Sequence, residues 1–272
     1  MRAVDVVLYG TVGVIGVFWL VVFGYTFFSY AIAHRFVERR PFRSLVSHAG
    51  WEALLSLFVQ PLLPLFFFIG RRMGGRKTGQ PIVFVHGYFQ NRVDFVYLAR
   101  TLSRAGLGPL YGVNYWSFGR IERSAATLAR FVERVCEEQG AASVDLVCHS
   151  LGGLVAAEYA RKHPARVRRC VTIASPHGGI AWPGPVLGPS GAQMRSNGKY
   201  LAERADLPWG MPLLSIYSSH DNVVYPAATS AREHVGGTDL VIDGPGHFAI
   251  LFHPKTAEAT RAFLSEPQDA LR

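Results

Sequence analysis

Hydrophobic positions fall into two regimes along this chain, a continuous one at the front and an alternating one behind it. From Val6 to Ala33 there are 28 residues without a charged side chain. As an α-helix that stretch is roughly 40 Å long, enough to cross a bilayer core of about 30 Å with tilt. It is too long for the apolar core of a signal peptide, and Arg35 follows it after a single histidine. A membrane anchor is therefore favoured over a cleaved secretory signal or a buried soluble helix. A second apolar run at about 53–70 includes Leu54-Leu55, Leu57-Phe58-Val59 and Leu65 to Ile69. Pro61 and Pro64 break or kink a helix there. A kinked second span, a re-entrant segment and an amphipathic piece lying in the interface all fit. Trp51 before the run and Arg71-Arg72 after it suit an interfacial anchor in each case.

A basic, glycine-rich hinge at 71–79 closes this front part, and past it the alternating regime begins. Short apolar runs predict strands at Ile82 to Val85, Leu110 to Tyr115, Val144 to Cys148, Arg169 to Ala174, Leu213 to Ser218 and Asp239 to Asp243. Helical periodicity predicts helices at Arg92 to Ala105, Ile121 to Glu138, Leu151 to Lys162 and Pro254 to Leu264. Strands alternating with helices imply an α/β domain over 80–272. Its sheet is mostly parallel, of about six strands, with helices on both faces. Residues 178–211 break the rhythm with Gly, Pro and scattered apolar side chains, and are expected to form a small cap. Trp182, Leu187 and Trp209 are its candidate substrate contacts.

Charge changes the picture only at the front. The formal net charge is +9, and residues 1–80 carry +6 of it. The excess gathers at Arg35, Arg39, Arg40 and Arg43 and again at Arg71, Arg72, Arg76 and Lys77. Both clusters flank apolar runs, where they meet anionic head groups, so the charge is no argument for nucleic-acid binding. The expected location is the bacterial inner membrane. The positive-inside bias puts the 35–43 cluster in the cytoplasm; the catalytic part is then cytoplasmic with one span and outside with two. Cys136, Cys148 and Cys170 cannot all pair, and two fall in strands, which suggests buried thiols and tilts toward a reducing compartment. A dimer through the apolar helices is compatible with the pattern. Deleting residues 1–79 is expected to release a soluble domain that keeps whatever chemistry residues 80–272 carry.

The candidate chemistry sits at strand ends. Cys148-His149-Ser150-Leu151-Gly152 joins a strand to a helix, as a nucleophile elbow does. Ser150 needs a base and the base needs an orienting acid. Asp221 follows the fifth of these strands and His247 follows the sixth, in the order nucleophile, acid, histidine. His253 and His234 are rival bases, and Asp206, Asp239 and Asp243 rival acids, better suited to surface or capping roles. His149 and His177 suit packing or hydrogen bonding, His86 suits bracing a turn, and His220 belongs to the rim. Cys148 lies inside its strand and is a poor nucleophile. The turn His86-Gly87-Tyr88 leaves the first strand where an oxyanion hole is needed, giving the backbone N–H groups of Tyr88 and Leu151 as donors.

These motifs resemble the α/β-hydrolase superfamily, and within it the small bacterial lipases and esterases, over roughly residues 80–265. The resemblance rests on Val85-His86-Gly87, the elbow with Gly153, Ala174-Ser175-Pro176-His177-Gly178-Gly179, Tyr217 to Val224, and Gly246-His247. Cys148 departs from it, standing where the elbow usually has its first glycine. The resemblance implies ester hydrolysis through an acyl-enzyme with no metal or organic cofactor. The expectation is a membrane-anchored esterase or lipase acting on an ester that the bilayer presents. A thioesterase or acyltransferase with the same residues, and a catalytically silent membrane-binding module, are the competing readings.

Overall fold

A computed structural model describes residues 3–36, 42–59, 70–182, 184, 186–204 and 206–266. Its centre is a seven-stranded sheet. The strands are β1 (Arg72–Gly74), β2 (Ile82–Val85), β3 (Leu110–Val113), β4 (Val144–His149), β5 (Val167–Ile173), β6 (Leu213–Ser218) and β7 (Thr238–Ile242), in the spatial order β1-β3-β2-β4-β5-β6-β7. All neighbours pair in parallel except β1, which runs antiparallel to β3. The strand beyond the expected six, β1, lies in the stretch expected to be only a hinge. Three residues carry too little periodicity to show as a strand, and pairing with β3 makes this one.

Among the described residues the α-helices are α1 (Ala3–Phe36), α2 (Phe42–Val59), α3 (Val96–Arg104), α4 (Ile121–Gln139), α5 (Leu151–Lys162), α6 (Gly188–Gln193), α7 (Lys199–Ala202) and α8 (Pro254–Ser265). Alternate residues of a strand point to opposite faces. Val83, Val85, Leu146 and Cys148 thus meet the buried faces of α4 and α5, while Ile82, Phe84, Val147 and Val171 meet α3 and α8. Burial on both faces explains why the strands lack polar alternation. Register aligns Val85 with Cys148, His149 with Ile173, and Ile173 with Ile216. The loops leaving β2, β4, β6 and β7 therefore gather along one edge, where ligands bind in open α/β sheets.

The front of the chain divides differently from its hydropathy. In α1 the large side chains of Val12, Val17, Phe18, Leu20 and Val21 are exposed, whereas Thr26, Ser29, Tyr30 and Ala33 are buried. Those four positions share one helix face, spaced at i, i+3, i+4 and i+7. Helix α2 buries the similar stripe Ala49, Glu52, Ala53, Ser56 and Val59. It begins before the second apolar run and takes in residues 53–59; Val59 joins the apolar layer under α3 and α8. The remainder of that run, with Pro61, Pro64 and Leu65 to Ile69, lies outside the described residues. Among the described residues, one helix is long and apolar enough to cross a membrane, at Leu8–Arg35.

Candidate active site

Ser150 sits between β4 and α5 with φ +52° and ψ −125°. That backbone is unfavourable for a residue with a Cβ and costs about 1–3 kcal/mol, which the surrounding structure must impose. The Ser150 amide donates to the Ile173 carbonyl at 2.9 Å, tying the turn to β5. Two glycines behind the serine let the helix start there. A Cβ on Gly152 would lie 2.1 Å from the Val85 carbonyl oxygen, and one on Gly153 would lie 2.3 Å from Ser175 Oγ. Cys148 fits where a glycine was expected because it points into the apolar layer beside Cys170, with the two sulfurs 4.0 Å apart. Burial, then the neighbouring Cys170, pushes the Cys148 thiol well above its ordinary pKa. All three cysteines are buried and none is in a disulfide.

The loops after β6 and β7 bring the other two residues to Ser150. His247 Nε2 lies 3.0 Å from Ser150 Oγ, and His247 Nδ1 lies 2.9 Å from Asp221 Oδ2 and 3.1 Å from Oδ1. Asp221 Oδ1 also accepts from the amides of Val223 and Val224, each at 2.8 Å, so its carboxylate is fixed by its own loop. Both side chains are buried. Burial alone would lower the His247 pKa. The charge and hydrogen bond of Asp221, followed by the charge of Glu52, outweigh it and raise the imidazole above its ordinary value.

The turn after β2 lies against the serine: a Cβ on Gly87 would be 2.9 Å from Ser150 Cβ. Gln90 Oε1 accepts from the Gly87 amide at 2.9 Å and stands 2.7 Å from His149 Nδ1. His149 Nε2 in turn stands 3.0 Å from the carbonyl oxygen of His247. Gln90 and His149 thus connect the turn after β2 to the loop of His247, a link that the individual motifs do not reveal. Leu151 opens α5, so its amide is among those at a helix start that have no partner within the helix. The Tyr88 hydroxyl donates to the Leu187 carbonyl and accepts from the Leu187 amide, joining the turn to the cap.

The other candidates are occupied elsewhere. His86 contacts the Gly87 carbonyl and stacks on Tyr115 with ring centroids 4.2 Å apart, and burial lowers its pKa to about 4. His177 contacts Thr172 inside the fold. His220 pairs with Asp243, and His234 with Asp206. Asp239 accepts from the Arg232 and Glu233 amides, and His253 caps α8. Of the cap residues, Leu187 is exposed and Trp182 meets Tyr25 and Phe28 of α1, with ring centroids 6.5 and 6.2 Å apart. Trp209 instead packs in the core against His177. Among the described residues no group of three His, Cys, Asp or Glu could hold a metal ion.

The front helices also reach this edge. Glu52 of α2 accepts from the Phe248 amide at 2.6 Å and the Ala249 amide at 2.8 Å, immediately after His247. Asn222 accepts from the His247 amide at 2.9 Å and donates to Ser29 Oγ of α1 at 2.6 Å. Ser29 and Glu52 escaped the motif reading, and Asn222, inside the motif Tyr217 to Val224, was given no role. Glu52 did leave a signal, as the sole acidic residue between Glu38 and Asp94; a lone carboxylate at the head of an apolar run needs a reason.

Residues 80–191 match a family described as alpha/beta hydrolase fold. Ethanol acetyltransferase 1 of Cyberlindnera jadinii is 32% identical over 101 residues, which cover 36% of this chain and 30% of that protein. The chain thus aligns with under a third of the length of this relative. The lipase BlEst2 of Bacillus licheniformis superposes with a TM-score of 0.59 at 18% identity, over 71% of this chain and 94% of that one. A bacterial membrane phospholipase A superposes with a TM-score of 0.52 at 16% identity, over 81% of this chain and 95% of that one. Sheet order, the serine turn after β4 and these matches establish that the chain has the α/β-hydrolase fold.

Proposed function

We propose that this protein is a membrane-anchored serine hydrolase that cleaves carboxylic esters. The observation that carries the reading is the hydrogen-bonded series Ser150–His247–Asp221, with contacts of 3.0 and 2.9 Å at the carboxyl edge of the sheet. Ser150 Oγ attacks the ester carbonyl carbon while its proton passes to His247 Nε2. Asp221 accepts from Nδ1–H throughout, fixing the tautomer and stabilising the imidazolium. The amides of Tyr88 and Leu151 hold the oxygen that becomes negative. Collapse of the tetrahedral intermediate expels the alcohol, which takes the proton from Nε2 and leaves an acyl-Ser150. Water then attacks with His247 as base, and the acid departs.

The apolar, solvent-facing stretch of α1 supports anchoring, and its lower turns stand beside the cap at Trp182. An ester embedded in the bilayer would have a short path to Ser150 from that side. The decisive test is labelling of detergent-solubilised full-length protein with a fluorophosphonate. Labelling is expected in the wild type and absent in Ser150→Ala; no labelling together with no ester turnover overturns the enzyme reading.

Acyl transfer to an alcohol is the second reading, favoured by the acetyltransferase name of the relative. It shares every step up to the acyl-enzyme. Adding ethanol during ester turnover separates the two: a transferase forms mostly the new ester, a hydrolase mostly the free acid.

A further inference from the structure

The loop carrying His247 is held from outside the hydrolase fold. Phe248 and Ala249, directly after the histidine, point their amides into the carboxylate of Glu52, one to each oxygen, at 2.6 and 2.8 Å. The amide of His247 itself donates to Asn222 Oδ1 at 2.9 Å. Asn222 Nδ2 is held at 2.6 Å by Ser29 Oγ, whose own proton goes to the Thr26 carbonyl at 2.8 Å. Three consecutive backbone amides at the histidine are thus fixed, two directly and one through an amide side chain, by polar groups of α1 and α2. Glu52, Ser29 and Asn222 are all buried.

Such an arrangement is costly unless every buried polar group in it is paired. A buried carboxylate is expensive to desolvate, and charge-assisted hydrogen bonds from backbone amides are what offset that cost. Simple packing of α2 would be served as well by Leu or Met. The approach is also closer than an ordinary side chain permits: a Cβ on Gly246 would lie 2.2 Å from Tyr30 Oη and 2.5 Å from Glu52 Oε2. Glycine before the histidine is required because both front helices press on that point. The titratable groups facing Glu52 are Asp221 and His247 from the loops and Tyr25 and Tyr30 from α1. Burial, opposed by the two amides and His247, raises the Glu52 pKa to about 7.

We propose that Glu52 is a positioning residue for His247, so that the docked pair α1–α2 completes the active site rather than merely tethering it. The inference rests on the serine-hydrolase reading above. Glu52 touches neither substrate nor the reacting atoms; it sets where Nε2 stands relative to Ser150 Oγ. A displacement of about 1 Å in such a group can cost on the order of a hundredfold in rate.

The test uses the full-length protein in detergent, with Glu52→Ala and the near-isosteric Glu52→Gln. Glu52→Ala is expected to lower kcat and the rate of fluorophosphonate labelling of Ser150 by roughly ten- to a hundredfold with KM nearly unchanged. Glu52→Gln keeps the shape but loses the charge and one acceptor. It is expected to lower the rate several-fold and to move the midpoint of the pH–rate profile downward, because the Glu52 charge helps hold a proton on His247. Hydrogen exchange in the peptide spanning 246–252 should be faster in both variants. If Glu52→Ala fails to fold, Glu52→Gln alone decides. Wild-type rate, midpoint and loop protection in a folded Glu52→Gln would overturn the role assigned to Glu52 while leaving the hydrolase reading intact. Absence of Ser150-dependent labelling in the wild type would overturn both.

Discussion

At the scale of single residues, the site combines a strained serine with a histidine whose charge is tuned by two carboxylates. The φ of +52° at Ser150 is forced by its position, so relieving it has a measurable effect. Ser150→Gly should be more stable than Ser150→Ala by about 1 kcal/mol, because glycine adopts positive φ without penalty. The check is the difference in Tm between two variants that are equally inactive; an alanine variant as stable as the glycine one would argue against strain at the turn. The acid gives a second expectation. Asp221→Asn leaves the shape but removes the acceptor that selects the His247 tautomer, and kcat should drop by about 10⁴-fold. The pH dependence has a definite sign. His247 acts as a base only when neutral, and Asp221 and Glu52 hold its pKa above the ordinary value. Turnover is then full at alkaline pH and falls as pH drops through a midpoint above about 6.5. A pH profile of kcat/KM with its midpoint below that value would contradict the assignment of charges around the histidine.

At the scale of elements, the site depends on β2, β4 and α5 approaching more closely than side chains allow. Gly152 lets α5 begin directly over the end of β2, with the Val85 carbonyl where a Cβ would be. Gly152→Ala must separate α5 from the sheet or deform the turn. The expected cost is about 3 kcal/mol, the upper end of overpacking, with fluorophosphonate labelling lost; thermal melts and labelling together check it. These close-packed elements were also the ones most legible in the sequence. Continuous apolar runs marked β2, β4 and β6, the 3.6-residue period marked α4 and α5, and Ser150, Asp221 and His247 stood out because each follows a strand. What stayed hidden was made by tertiary contact. β1 is a strand only because it pairs with β3, and Trp209 looked like a cap contact but is drawn into the core against His177. The bonds of Glu52 to amides almost two hundred residues away have no local pattern. Hydropathy ranked α2 by its apolar residues, while its buried polar residue is the one that reaches the histidine loop.

At the scale of the whole molecule, the front of the chain has two parts that meet near residue 25. Beyond that point toward the N-terminus, α1 exposes large apolar side chains that the domain does not cover. At about 25 cal/mol per Å², leaving that surface in water is strongly unfavourable, and a bilayer removes the cost. From Thr26 onward α1 and α2 are docked and hydrogen-bonded to the loops of Asn222 and His247. The two parts should separate under truncation. If α1 anchors the protein as proposed, removing residues 1–24 releases it from membranes after a high-salt wash, which also screens any attraction of the basic clusters to head groups. Its Tm should stay that of the full chain and its rate of Ser150 labelling within about twofold of it, since the docked turns are kept. Removing residues 1–79 takes away Ser29, Glu52 and β1 together, and here the structure changes the expectation formed from hydropathy alone. That fragment should melt at a lower temperature and label at least about tenfold more slowly, because the histidine loop loses its outside support. Sedimentation, thermal melts and labelling of the two truncations, run side by side, give the answer. If the shorter fragment labels as fast as the full chain, the front helices are a tether and nothing more; if only residues 1–24 are dispensable, the hydrolase site includes the helices that dock it to the membrane.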